Sequence, residues 1–155
     1  MKQPSYDEQR ERLLDAPPSV IDFLPRQVPR EAGPFYFPVE EYLAAPERIG
    51  ALYRRFANLV LCLSCYAAVA ADRADCPAED DGWADWIVQP APETLALLIE
   101  GCAAGGTLSL LFPDEDALLT LDGGDLYMTA YRFCGEFLET LRQLARANGL
   151  FLREA

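Results

Sequence analysis

Carboxylates are the side chains of this sequence most able to do chemistry, because histidine is absent and no catalytic motif stands out. Between Ala74 and Tyr131 there is no Lys, Arg or His, whereas the segment contains twelve acidic residues. These are Asp75, Glu79, Asp80, Asp81, Asp85, Glu93, Glu100, Asp114, Glu115, Asp116, Asp122 and Asp125. Without cations in the segment to pair them, they predict a strong negative field that attracts a basic partner and repels nucleic acid.

The stretch from Glu79 to Trp86 combines this charge with two tryptophans. The tryptophans either cover an edge of the core or anchor an interface, since Trp and Tyr are enriched among residues that carry binding energy. Carboxylates around them would steer a basic target onto such anchors. We therefore predict that the partner binds here, through Asp80, Asp81, Trp83, Asp85 and Trp86.

Two further acidic stretches are Asp114-Glu115-Asp116 and the segment Asp122-Gly-Gly-Asp125. Both lie where hairpin turns are expected, and turns favour Asp and Gly for conformational reasons. Neither has the ligand alternation and terminal Glu of a twelve-residue calcium loop. We interpret them as solvated turns, with partner contact and metal or acid–base chemistry as the alternatives. Asp114, Glu115 and Asp116 are included among the predicted partner-binding residues.

The cysteines offer one short motif, a C-x-x-C pair formed by Cys62 and Cys65. A structural zinc site needs four ligands, but there is no second pair and no histidine. The pair also lies within an apolar stretch that predicts a helix interior. We therefore interpret Cys62, Cys65, Cys76, Cys102 and Cys134 as reduced thiols that pack in the core, with redox or metal chemistry as the alternative.

Length and charge indicate one acidic, folded domain. The chain has 155 residues and a net charge of −12. Residues 1–75 carry nine basic and eleven acidic side chains, or −2, and residues 76–155 carry four and fourteen, or −10. No secretory signal is predicted at the start. The longest nearly uncharged apolar run, residues 59–71, is shorter than the roughly 20 residues of a membrane span, so we expect a core helix and a cytoplasmic protein.

The pattern of elements predicts an α+β fold in which N-terminal helices pack on a small antiparallel sheet. Residues 1–18 form a flexible N-terminal arm, or a short helix laid on the body, and residues 19–155 form a single domain. The predicted elements are a short helix from Ser19 to Pro25, an extended connection over 25–38, a short helix over 39–45, a long helix from Pro46, an acidic loop over 72–92, a helix over Glu93–Ala104, a three-stranded meander (Thr107–Phe112, Ala117–Leu121 and Leu126–Tyr131), a final helix and a last strand at 150–152.

The segment PDEDALLTLDGGDLYMTAY, followed by FLETLRQLARANGLFL, resembles the C-terminal half of small bacterial proteins grouped with polymorphic-toxin immunity proteins. The resemblance covers about 50 residues and consists of a hairpin–helix–strand pattern. It implies a protein that binds a cognate toxin and blocks it in the cytoplasm of the producing cell. It assigns no functional residue, because immunity contacts are particular to each toxin pair.

Together these observations favour an immunity-type inhibitor that is not an enzyme and that occludes a basic toxin. One alternative is a non-inhibitory adaptor or chaperone for a secreted effector, and another is a small enzyme that uses carboxylates alone. We expect a basic protein partner, without a cofactor, a metal, nucleic acid or a membrane. The oligomeric state stays open.

Overall fold

The computed structural model describes residues 5–74 and 86–155, and it shows an α+β fold, which confirms the predicted class. The helices are α1 (Tyr6–Leu14), α2 (Gly33–Ala44), α3 (Pro46–Leu63), α4 (Pro92–Gly101) and α5 (Gly135–Ala147). The strands are β1 (Pro18–Asp22), β2 (Ala70–Ala74), β3 (Ile87–Val88), β4 (Thr107–Phe112), β5 (Ala117–Asp122), β6 (Tyr127–Tyr131) and β7 (Phe151–Glu154). Short 3-10 helices cover Arg30–Ala32 and Cys102–Ala104.

The seven strands of the described residues form one antiparallel sheet in the order β3-β2-β4-β5-β6-β1-β7. The predicted meander is present as β4, β5 and β6, and the predicted last strand is β7. The prediction of a small sheet, made of this meander and a final strand, is nevertheless wrong in detail. Strand β1 lies between β6 and β7, and β2 and β3 extend the other edge. Turn residues identify consecutive hairpins, but they do not identify strands that join from distant parts of the chain.

Strand β1 occupies residues that were predicted to form a short helix after Ser19. Val20 pairs with Thr129 on one side and with Arg153 on the other. Both Val20 and Ile21 are buried, although successive side chains of a strand point to opposite faces of the sheet. A run that is apolar on both faces has no polar alternation, so its periodicity does not distinguish a strand from a buried helix.

Helix α2 replaces residues 33–38 of the extended connection predicted over 25–38, and it also takes in the short helix predicted over 39–45. Pro34 lies in the first turn, where a backbone amide has no partner within the helix. Pro38 lies inside the helix and cannot donate a backbone hydrogen bond, yet α2 continues to Ala44. Pro34 therefore marks the beginning of this helix, and Pro38 does not exclude it.

The apolar run of residues 59–71, predicted as one core helix, is divided between α3 and β2. Helix α3 ends at Leu63, where the Ser64 amide donates to the Val60 carbonyl oxygen over 2.8 Å. Cys102 is buried in the core as predicted, whereas Cys62 is half-buried and Cys65 and Cys134 are exposed, so the prediction is wrong for the exposed pair. Cys76 lies outside the described residues. In the part of the chain that the structure describes, no helix is long and apolar enough to cross a bilayer.

The main core lies between one face of the sheet and helices α3, α4 and α5. Helix α3 presents Tyr53 and Phe56 to this core, with ring centroids 5.2 Å apart. The Tyr53 hydroxyl donates to the Asp125 carbonyl oxygen over 2.8 Å. This bond ties the turn between β5 and β6 to the central helix of the fold.

Helix α1 covers part of the opposite face of the sheet. Leu13 is fully buried against Leu111 and Leu118, which alternate along their strands with residues of the main core. Ser5 caps the helix by accepting a hydrogen bond from the Glu8 amide over 3.2 Å. Residues 6–14 of the N-terminal segment therefore form a short helix laid on the body. Pro18, predicted as the end of the arm, already belongs to β1.

Candidate functional site

The predicted binding loop is only partly within the described residues, because Asp80, Asp81, Trp83 and Asp85 lie outside them. Trp86 is described, and it is half-buried beside α1. Its indole nitrogen donates to Asp7 over 2.9 Å, and its ring packs edge-on against Tyr6 with centroids 5.8 Å apart. The Arg10 guanidinium lies 4.9 Å from the centre of the same ring. Trp86 thus helps to hold α1 on the sheet.

The predicted residues of the β4–β5 turn separate into two groups. Asp114 and Glu115 are exposed. Asp116 is half-buried with a left-handed backbone (φ 51°), and it accepts hydrogen bonds from Gln9 over 3.0 Å and from Arg12. The hydrogen bond from Arg12 is the main reason that the pKa of Asp116 lies below its ordinary value of 3.8. Asp116 therefore stabilises the docking of α1, and Asp114 and Glu115 are the residues left facing solvent.

A different acidic site is formed where α2 crosses the end of the sheet. This acidic cleft has a volume of about 640 Å³. Strand β1 contributes Asp22, helix α2 contributes Tyr36, Glu40 and Glu41, and the β5–β6 turn contributes Asp125. The full lining is Asp22, Tyr36, Phe37, Glu40, Glu41, Ala44, Gly124, Asp125, Leu126, Tyr127 and Arg153. Residues that are far apart in the sequence therefore place four carboxylates around one cavity.

Among the described residues that line the acidic cleft, Arg153 is the one cation, and it already has an acidic partner. Arg153 donates to the buried Asp22 carboxylate over 2.7 Å. Among the described residues, Glu40, Glu41 and Asp125 form no ion pair. The cleft therefore has an excess of negative charge, which a positively charged group would balance.

Burial, together with nearby charge, raises the pKa of three groups in the acidic cleft. Burial raises the pKa of Asp125, and the nearby carboxylate of Asp122 raises it further. Burial is also the largest reason why the pKa of Tyr127 is raised, followed by the charge of Asp125. Burial and a 2.9 Å hydrogen bond to Glu40 raise the pKa of Tyr36 to about 12. Asp125 consequently holds a proton more readily than an ordinary aspartate, and both phenols stay neutral donors.

The chemistry of the acidic cleft suits an organic cation. Its carboxylates lie among phenols and the aromatic ring of Phe37, so an ammonium or guanidinium group would find both charge and ring faces. Among the described residues, no three His, Cys, Asp or Glu side chains are grouped in a way that could hold a metal ion.

A second cavity, of about 580 Å³, lies beyond the C-terminal end of α1. Arg12 and Arg132 line it together with Ser19, Phe133 and Leu138. Both guanidiniums approach the Asp116 carboxylate, with Arg132 at 4.0 Å. The Asp116 carboxylate therefore balances part of their positive charge, and this cavity has no excess charge comparable to that of the acidic cleft.

In comparisons with known proteins, the chain matches no protein-family model, no curated protein and no solved structure. Sequence reasoning missed Asp22, Tyr36, Glu40 and Arg153, because none of them belongs to a motif that indicates a binding site. Only the Asp122–Asp125 turn gave an indication of this site, and it was interpreted as a solvated turn.

Proposed function

We propose that this protein is an acidic inhibitor of the immunity type, which binds a basic protein in the cytoplasm and covers the surface that this protein uses for its substrate. A cognate toxin is the partner that the sequence resemblance suggests. The partner-binding residues proposed from sequence stay part of this proposal, in particular the acidic loop and the exposed turn residues Asp114 and Glu115.

The observation that carries the proposal is the uncompensated charge of the acidic cleft. Three of its four carboxylates have no cationic partner among the described residues, and the pKa of one of them, Asp125, is raised by burial. The charged form of Asp125 is therefore costly to the fold, because burial penalises it. A binding role gives a reason for this cost, because a cation from the partner would relieve it.

The inhibition would be stoichiometric and non-covalent. The excess charge attracts a basic protein from a distance, which raises the rate of association at low ionic strength. Apolar contacts formed after the encounter then govern the dissociation rate. A positively charged cleft on the partner, once it faces these carboxylates, is closed to an anionic substrate such as a nucleic acid or a nucleotide.

The test begins with a pull-down from the native host, or with the protein encoded by the adjacent gene. Replacing Asp80, Asp81 and Asp85 with Lys should slow association with that partner by about tenfold or more at low salt. A matched control reverses three exposed acids on α4 and α5, Glu93, Glu136 and Glu139, which changes the net charge equally. Equal rates for the wild type and the loop variant at every salt concentration would refute the role of the acidic loop.

An activity assay separates inhibition from the adaptor alternative. Co-expression with the partner should protect the cell, and the isolated complex should lack the partner's activity. An adaptor would bind the same protein and leave the cell unprotected. Recovery of no basic partner would contradict both functions.

A further inference from the structure

Helix α2 exposes an unusual amount of apolar surface. Phe35 is 79% exposed and Phe37 is 63% exposed, and Val39 and Tyr42 are also exposed on the same helix. Only Leu43 and Ala44 of α2 pack against the main core as partly buried apolar side chains. Phe35, Val39 and Tyr42 follow one another at i, i+4 and i+7 and therefore share one face of the helix, whereas Phe37 lies on another face. Clustered apolar surface on a folded protein marks an interaction site more often than single exposed residues do.

Phe37 lies between the acidic cleft and a second cavity. A neighbouring hollow of about 290 Å³ is lined by Leu24, Val28, Pro29 and Gly33, together with polar residues that include Arg30. The hollow and the acidic cleft share four lining residues, which are Asp22, Tyr36, Phe37 and Arg153. The two cavities therefore form one continuous depression, here called the α2 groove, with Phe37 at its middle.

The two ends of the α2 groove differ in character. One end holds the carboxylates of Glu40, Glu41 and Asp125, which form no ion pair within the described part of the chain. The other end is mainly apolar, and it adjoins a further apolar hollow of about 230 Å³ that contains Phe35 and Val39. An extended segment that has a cation near an apolar side chain matches this arrangement in both charge and polarity.

We propose that the α2 groove binds a segment of a basic partner protein, with an Arg or Lys side chain of that segment in the acidic cleft and an adjacent apolar side chain against Phe37. The inference rests on the proposed function and names the surface that carries it. A second copy of this chain is a poor occupant, because each copy has a net charge of −12 and like charges repel.

The size of the expected effects follows from the contacts. Covering the exposed ring of Phe37 should contribute roughly tenfold to hundredfold to affinity, which is the range for burying an aromatic side chain. Removing the charges of Glu40 and Glu41 should weaken binding of a cationic segment about tenfold at low salt, and less at high salt.

The probes are short synthetic peptides that contain one Arg and one Leu a few residues apart, and matched peptides in which citrulline replaces Arg. Citrulline keeps the shape of Arg and removes its charge. Titration of isotope-labelled protein, followed by nuclear magnetic resonance, should show shifts around residues 22–41, 124–127 and 153. Arg peptides should bind at least about tenfold more tightly than their citrulline counterparts.

Two variants test the assignment, and each has a matched control. Phe37→Ser should weaken the Arg peptides, whereas Leu97→Ser should not, although Leu97 is 71% exposed on α4. Glu40→Gln combined with Glu41→Gln should weaken them, whereas Glu93→Gln combined with Glu136→Gln, which changes the net charge equally, should not. Shifts confined to other surfaces, equal binding of the citrulline peptides, or no binding at all would overturn the groove.

The captured partner distinguishes this inference from the proposed function. If Phe37→Ser binds and inhibits the partner as the wild type does, the groove is wrong and the inhibitor function stands. If Arg peptides bind in the groove but the wild type inhibits no basic protein, the inhibitor function is wrong and the groove remains a peptide site.

Discussion

Replacing Leu13 with Ala should destabilise the protein by about 3 kcal/mol, which lies within the range for substitutions that leave a cavity in place of a buried Leu side chain. Leu13 is fully buried, and it packs on Leu111 and Leu118 across the face of the sheet that α1 covers. The polar contacts of Gln9 and Arg12 with Asp116 remain in the variant and keep the helix near the sheet. The loss is limited by the docking energy of α1, because a short helix can detach before the rest unfolds.

Urea denaturation followed by far-ultraviolet circular dichroism measures this loss, and in thermal unfolding it corresponds to a decrease in Tm of roughly 6–12 °C. Leu14→Ala is the matched control, since Leu14 is the next residue of the same helix and is 38% exposed. The control should cost less than about 1 kcal/mol. If both variants lose equally little stability, α1 is not packed on the sheet, and Trp86 and Asp116 do not hold it there.

Three further predictions concern charge and packing. Asp116→Asn keeps a side chain that suits the left-handed backbone, and it should cost only about 1 kcal/mol of unfolding free energy because solvent screens the pair with Arg12. The pKa of Asp116 is lowered in the folded protein, so denaturation at a series of pH values should show this cost in full above pH 3.8 and show it vanish as the pH falls through the folded-state pKa. Asp125→Asn should instead stabilise the protein at neutral pH, by less than about 1 kcal/mol because solvent screens the charge. The pKa of Asp125 is raised, so this gain in stability should disappear below pH 3.8, and a loss of stability at pH 7 would contradict the burial cost assigned to this carboxylate. Gly123→Ala should lower the unfolding free energy by roughly 2–3 kcal/mol, since the new Cβ atom would lie 2.3 Å from the Gly105 Cα atom. Gly101→Ala has open space around the new atom, so it should be neutral or stabilising in the same unfolding assay.

The fold could be predicted where local chemistry determines the structure. The turn sequences Pro-Asp-Glu-Asp and Asp-Gly-Gly-Asp correctly predicted the meander of β4, β5 and β6, and the apolar stripe of α5 predicted the last helix. Strand β1 could not be predicted, because its Val20 and Ile21 are buried on opposite faces and give no alternation. The same holds for Ala70 and Ala71 of β2, whose burial on both faces made them indistinguishable from the end of a core helix.

The candidate site could be predicted even less well. The excess of acidic residues was evident, but the sequence pointed to continuous acidic stretches, whereas the acidic cleft is assembled by the sheet order. Asp22 and Arg153 meet because β1 and β7 are neighbours, and Asp125 joins them through the β5–β6 turn. The partial use of Asp116 inside the fold was equally hidden, because its partner Arg12 is 104 positions away in the sequence.

The most direct test of the central claim is a titration of the basic partner's activity with this protein at low and at high ionic strength, with the association rate measured in parallel. We predict that activity disappears at an equimolar ratio and that association slows steeply as salt is added. A partner that stays fully active when bound, or an association rate that does not change with salt, would contradict the account.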